Sequence, residues 1–294
     1  MPEFISKLQH KTYEKGEFSD EKVRTLDETI ELVKTFPWDD ERTLTDIQLT
    51  GPSVTIQDEY VNYLKIGLYF NGKFCLYYLD NDNHLYEYHV IEKVDVLKIV
   101  ADFFNSEIEL KDFEKHIFNI GNQAHFVTNY FEYREKLWRI IMLTGFMLLY
   151  GVFFVVADAS VFATNTRWYV RLPLVVLSAF YYFILGKIYC NAIINRDNYL
   201  QISKGNDVFS FGYNQQEIKT YNKMDISEIV TYEHKGSRNP NFVEAYAINF
   251  KDGSSIKFTN MLISSSAFRT KFTDGMDNPV IPFTAAKKGM LSVL

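Results

Sequence analysis

Residues 138–156 read WRIIMLTGFMLLYGVFFVV, and the only charge in that run is Arg139, beside its start. Wound as a helix at about 1.5 Å per residue, nineteen residues reach about 28 Å, close to the roughly 30 Å of bilayer hydrocarbon. An amphipathic helix keeps one polar stripe, whereas Ile141, Leu148, Leu149, Val152, Phe153 and Val156 point all round the axis. Together the apolar residues of the run favour insertion by about 3–7 kcal/mol. The alternative, a helix buried in a soluble core, fits less well because such helices are usually shorter and patterned.

A second apolar run, WYVRLPLVVLSAFYYFILGKIYCNAII at 168–194, follows the short segment DASVFATNTR. The pair predicts a transmembrane hairpin with spans at about 138–157 and 168–190. Arg171 and Lys187 lie where long side chains reach the headgroups, and Pro173 sits early, where a helix tolerates it. Arg134, Lys136 and Arg139 precede the first span, Lys187, Arg196 and Lys204 follow or close the second, and the connecting segment offers only Arg167. The positive-inside bias then predicts a multi-pass protein of a cytoplasmic (inner) membrane with both termini in the cytoplasm and the 158–167 loop outside. The opening residues, MPEFISKLQHKTYEKGEF, lack the apolar core of a signal peptide. Two cysteines, Cys75 and Cys190, imply no disulfide framework.

The hairpin divides the chain into an acidic α+β domain at 1–133, the hairpin at 134–195 and a β-rich domain at 196–294. The expected fold class is therefore an α+β membrane protein. A net charge of -6 hides a split: residues 1–133 hold 13 Lys+Arg against 25 Asp+Glu, a net of -12, and the remainder is +6. So acidic a first domain argues against nucleic acid as its partner, since phosphate contact needs clustered cations, and suits a basic protein.

Within the first domain, SDEKVRTLDETIELVKTF reads as an amphipathic helix capped by Ser19, with Val23, Leu26, Ile30 and Val33 on one face. YVNYLKIGLYFNGKFCLYYLDNDNHLYEYHVI reads as an antiparallel β-meander turning at Asn71-Gly72, and EKVDVLKIVADFF as a helix presenting Val94, Leu97, Ala101 and Phe104. A two-residue loop at Asn71-Gly72 pairs Leu68 with Cys75, Ile66 with Tyr77 and Leu64 with Leu79 as the inner face. The outer face then carries Tyr63, Lys65, Tyr69, Phe74, Tyr78 and Asp80. That mixture of rings and charges is the expected partner-binding surface, because tyrosine is enriched at interfaces; a covering helix from 107–133 is the competing reading.

After the hairpin, NYLQIS, DVFSFGY, ISEIVTYEH, EAYAINF and SIKFTN alternate as short strands, and MLISSSAFRTKF can close them as a helix. For KDGSS, a loop with left-handed Gly253 at a bulge, pairing Phe250 with Ile256 and Ile248 with Phe258, keeps the inner face consistent. This order of strands and one helix, with IVTYEH and AINFKDGSSIKFTNMLI as its clearest pieces, resembles the PH-like domains that many bacterial membrane proteins carry beside a transmembrane hairpin. Lys219, Lys223, Lys235, Arg238 and Lys257 are scattered, so no lipid-phosphate site is implied.

No catalytic, cofactor or metal motif is present. His84 and His89 project to opposite faces of a strand; DNDNHLYEYHVI lacks the Gly and Glu of a calcium loop and reads as a turn; Glu114, His116 and His125 form only a loose cluster. The FPWDDERTL, LYFNGKFCLYYLDNDNHLYE and IVADFF pieces resemble small α+β immunity proteins of polymorphic-toxin loci. That resemblance implies a non-enzymatic, membrane-anchored immunity protein whose partner is a cognate toxin or effector, with the bilayer as its other partner. The alternative is a membrane-tethered sensor or scaffold that binds a membrane protein or lipid through its PH-like domain.

Overall fold

The computed structural model describes residues 2–42, 49–117, 120–135, 137–164, 167–234, 244–272 and 281–288; Lys136, Lys235 and Arg238 lie outside them. The chain forms two compact units, one running to Tyr130 and taking in Ser203–Asn206, the other made of Phe131–Ile202 and Asp207–Leu294.

In the first unit, strands β1 (Phe4–Gln9), β2 (Ser19–Arg24), β3 (Ser53–Gln57), β4 (Tyr63–Leu68), β5 (Phe74–Leu79), β6 (Leu85–Val90) and β7 (Glu114–Lys115) build one antiparallel sheet. Its spatial order is β2-β1-β3-β4-β5-β6-β7. Helices α1 (Leu26–Thr35), α2 (Trp38–Glu41) and α3 (Lys93–Phe104) belong to the same unit. Their apolar side chains join those of one sheet face: Val33, Trp38, Val96, Val100 and Phe103 pack with Val54, Ile56, Leu64, Ile66 and Leu76.

The helix expected from Ser19 begins instead at Thr25. There a capping box holds the first turn: the Glu28 carboxylate accepts from the Thr25 amide at 2.8 Å, and the Thr25 hydroxyl accepts from the Glu28 amide at 3.4 Å. Residues 19–24 form a strand because β1 offers them a ladder, with Ile5 opposite Val23, and Val23 points to solvent. In α3 the buried residues are Val96, Val100, Phe103 and Phe104, while Val94 is exposed. That apolar arc is broad enough for two overlapping faces, and docking on the sheet selects one of them.

The register between β4 and β5 differs by one residue from the expected one: Leu68 faces Phe74, Ile66 faces Leu76 and Leu64 faces Tyr78. Asn71 and Gly72 both take positive φ, as a type I′ turn needs, but the Tyr69 amide donates to the Lys73 carbonyl at 2.9 Å. Phe70 is thus an extra residue on one side of the turn. A one-residue slip exchanges faces.

The second unit opens with β8 (Glu132–Arg134), runs through the long helices α4 (Leu137–Ala163) and α5 (Trp168–Ile194), and continues with β9 (Tyr199–Gln201), β10 (Val208–Gly212) and β11 (Lys219–Asn222). It then adds β12 (Ile226–His234), β13 (Ala245–Phe250), β14 (Ser255–Thr259), α6 (Ser265–Thr270) and β15 (Phe283–Lys288). Two four-stranded sheets result, ordered β11-β10-β9-β8 and β14-β13-β12-β15. All pairs are antiparallel except β12 with β15. Their inner faces share a core of Leu200, Phe209, Phe211, Tyr246, Ile248 and Phe258, on which α6 places Phe268.

Three expectations change here. Strand β8, which a boundary at 133/134 would cut, pairs with β9, so the two long helices are an insertion between neighbouring strands of one sheet. At the 250–254 turn Gly253 is left-handed as expected, yet Ile248, rather than Phe250, faces Ile256: the same face at a register two residues different. The closing helix is shorter than 261–272 because the Ser264 hydroxyl accepts from the Ala267 amide and starts it there.

Helices α4 and α5 pair antiparallel. The Thr144 hydroxyl and Tyr189 phenol meet at 2.7 Å, the Tyr182 hydroxyl donates to the Gly151 carbonyl at 2.6 Å, and the Tyr181 hydroxyl donates to the Met147 carbonyl. Among the described residues one segment, Arg171–Ile194, is by length and composition apolar enough to cross a membrane; Met147–Ala163 is apolar but shorter.

Candidate functional site

The six residues expected to share a tyrosine-rich surface are divided between the two faces of the N-terminal sheet. Phe74 and Tyr78 face the helices: Phe74 meets the Trp38 ring edge-on at 5.2 Å between centroids, and Tyr78 meets Phe103 at 6.2 Å. Tyr63, Lys65 and Tyr69 lie on the opposite side, among Cys75, Tyr77, Leu79, Leu85 and Phe126. Asp80 closes the turn after β5, where its carboxylate accepts from the His84 amide at 2.7 Å and meets His84 Nδ1 at 3.0 Å. The one-residue slip at Phe70 is the cause. Nor is the second face open, since Tyr63 and Lys65 are buried beneath Phe126. The segment that covers it comes from 107–133, the competing reading of the sequence, although the covering residue belongs to no α-helix.

Under that cover sit two lysines. Lys65 Nζ donates to Gln9 Oε1 at 2.7 Å and to the His125 carbonyl at 3.0 Å; Lys7 Nζ donates to Thr128 Oγ1 at 2.9 Å and stands 4.4 Å from the centre of the Phe18 ring. Burial, helped by the neighbouring Lys7 charge, brings the Lys65 ammonium down to about 7. An amine near neutrality can act as a nucleophile, but Lys65 is only 1 % exposed and its hydrogen bonds tie the covering segment to the sheet, so its role here is structural. His125, pushed down to about 4 by burial and by Lys15 and Lys65, bonds the Thr50 hydroxyl at 2.6 Å. It is therefore not partnered with His116, which bonds Glu87 instead.

Further along the same face, β5 and β6 set Cys75 opposite His89 and Tyr77 opposite Glu87. The Cys75 sulfur, a Glu87 carboxylate oxygen and a His89 ring nitrogen all lie within 4.8 Å of one another. Glu87 Oε1 is 3.2 Å from His89 Nε2, and Glu87 Oε2 is 2.7 Å from His116 Nε2. Burial pushes the Cys75 thiol up, with the Glu87 carboxylate adding to the rise. Cys75, Glu87 and His89 are the described residues that could hold a metal ion. Sequence spacing does not reveal them, because Cys75 stands on β5 and Glu87 and His89 on β6, with His116 just after β7; the readable signal is the correct cross-strand register.

Of the five cations expected to be scattered in the second unit, Lys219, Lys223 and Lys257 are among the described residues. Lys219 and Lys257 lie on strands β11 and β14, while Lys223 is buried with Nζ 3.4 Å from the Lys271 carbonyl. Lys271 is also buried, its ammonium 4.5 Å from the Phe131 ring. Between β8 and α4, burial lifts the Glu135 carboxyl to about 7, against a contact with the Thr259 hydroxyl that lowers it. The hairpin presents Leu149, Val152, Phe153, Val176, Leu177 and Phe180 uncovered. Among the described residues it finds protein cover toward the end of α5, where Ile188 and Ala192 pack with Met261.

A family model described as a PH domain matches residues 132–271, so a PH domain is found there, and the match runs from strand β8 through both long helices to the end of α6. No curated protein and no solved structure gives a significant match.

Proposed function

We propose that this chain is a non-enzymatic, membrane-anchored binding protein in which a PH domain is held at the bilayer by a helical hairpin built into its first sheet. PH domains bind proteins or lipids. The observation that carries the reading is the insertion itself: α4 and α5 leave β8 and return to β9, adjacent strands of one sheet, and expose apolar side chains along most of their length. Uncovered apolar surface of that extent is unstable in water and stable in hydrocarbon. The flanking Arg134, Lys136, Arg139, Lys187 and Arg196 support a cytoplasmic location for both termini in a bacterial inner membrane.

Partner choice on this reading is a matter of shape and charge rather than chemistry. The first unit supports a basic protein partner through its acidity, and neutralisation of a secreted toxin is one specific form of such binding. Fractionation tests the anchor: the full chain stays with membranes through high-salt and alkaline washes and needs detergent for extraction. Recovery as a monodisperse species without detergent overturns the proposal. Co-expression with a toxin encoded beside it tests the specific form, and cells that die as readily with the protein as without it dispose of that form while leaving the anchor standing.

A further inference from the structure

We propose that Cys75, Glu87, His89 and His116 form a binding site for a zinc-class transition-metal ion on the N-terminal sheet.

The four donors stand on neighbouring strands or directly after one, not on loose loops. Cys75 and His89 are cross-strand partners, Glu87 precedes His89 by two residues on the same face, and the His116 amide donates to the Leu85 carbonyl at 2.8 Å, continuing the β6–β7 ladder. A tetrahedral site with bonds of about 2.0–2.3 Å has donor-to-donor edges of roughly 3.5 Å. The thiol, carboxylate and imidazole at Cys75, Glu87 and His89 are within 4.8 Å of one another, so side-chain rotation of about an ångström closes them on an ion. Glu87 already gathers the set: one of its oxygens meets each imidazole, at 3.2 and 2.7 Å.

Burial is graded across the cluster. Cys75 has no exposed surface, the Glu87 side chain is 19 % exposed, and those of His89 and His116 are each 38 % exposed. The floor of the site is closed and its mouth is open to an entering ion. An outer group flanks the donors: the Tyr69 ring lies 4.1 Å from the His89 ring. Surface His–Glu pairs are ordinary by themselves. What sets this cluster apart is a fully buried sulfur aimed into it.

Donor chemistry selects the ion. One sulfur, two imidazoles and one carboxylate suit zinc or its close analogues and disfavour calcium and magnesium, which take oxygen donors. Loading exchanges the Cys75 S–H bond for a sulfur–metal bond, with the proton released to water and no change of oxidation state. It also ties the two-residue edge strand β7 to β5 and β6.

The test uses the full chain in detergent, stripped by a chelator and titrated with cobalt(II). One equivalent produces a thiolate-to-cobalt charge-transfer band and the strong visible absorption of a tetrahedral site, and zinc(II) bleaches both. Cys75→Ser loses the charge-transfer band, whereas Cys190→Ser, which removes the other cysteine, keeps it. His89→Ala and His116→Ala, at exposed positions where the fold tolerates change, each weaken cobalt binding about tenfold or more. A chain that takes up no cobalt, a charge-transfer band that survives Cys75→Ser, or unaltered affinity in both histidine variants overturns the proposal.

Discussion

Helices α3 and α5 are both rich in aliphatic and aromatic side chains and treat them in opposite ways. Along α3, Val96, Val100, Phe103 and Phe104 press onto the sheet and polar residues meet solvent, so the protein itself supplies the apolar surroundings. Along α5, Leu172, Val176, Leu177, Phe180 and Phe183 are uncovered, and burial is confined mainly to its far end and to Ser178. One helix keeps a polar face for solvent opposite its buried one; the other is apolar all round, including the faces that α4 and Met261 leave uncovered. The contrast separates side chains whose partner is protein from those whose partner lies outside the chain.

The largest expected effect sharpens that contrast with a single residue type. Phe103→Ala opens a cavity in the first core and costs about 3–5 kcal/mol in chemical denaturation, whereas Phe153→Ala, uncovered in α4, changes stability by about 0.5 kcal/mol or less. Equal losses at both positions would break the comparison. Next in size, Phe180→Asp places a carboxylate in the middle of α5 at a cost of about 2.5–3.5 kcal/mol for membrane insertion, read as chain released by alkaline washing. The same change at exposed Val94 leaves fractionation and stability as they are.

Response to pH should differ in sign between the two units. Lys65 has its folded value lowered to about 7 from 10.5, so between those values the unfolded chain binds more protons and stability of the first unit rises with pH. Lys65→Met removes that slope. Glu135 has its folded value raised to about 7 from 4.5, so the folded state binds more protons in that interval and the second unit loses stability as pH climbs from 4.5 through 7. Glu135→Gln flattens it. Parallel slopes from probes in the two units would contradict the placement of these side chains. Smallest of the set, Thr25→Ala removes the capping box of α1 and costs about 1 kcal/mol, measured as a shift in denaturation midpoint.

Local chemistry was readable wherever it was complete within a few residues. Strand β12 coincides with ISEIVTYEH, β14 falls within SIKFTN, α3 falls within EKVDVLKIVADFF, and the 80–84 turn is a turn. Elements that need a distant partner were not. SDEKVR has the polar composition of a helix start and becomes a strand only because β1 lies beside it; FTAAKK becomes β15 through parallel pairing with β12; EYR gains its place from β9, on the far side of both long helices. The tyrosine surface failed for the same reason, since one extra residue at Phe70 moved Phe74 and Tyr78 to the other face.

By itself the sequence determined the apolar character of both long helices, the charge split, and the alternating strands that a PH-domain family model also matches. Those properties are carried by composition and short-range periodicity, which are present in the chain before it folds. Tertiary structure alone decided that the hairpin interrupts a sheet, that Lys65 lies buried beneath Phe126 with Lys7 buried beside Phe18, and that Cys75 and His89 gather around Glu87, which His116 also meets. Each of these depends on register across strands, and register is set by the summed packing of whole faces, a quantity no short window of residues contains.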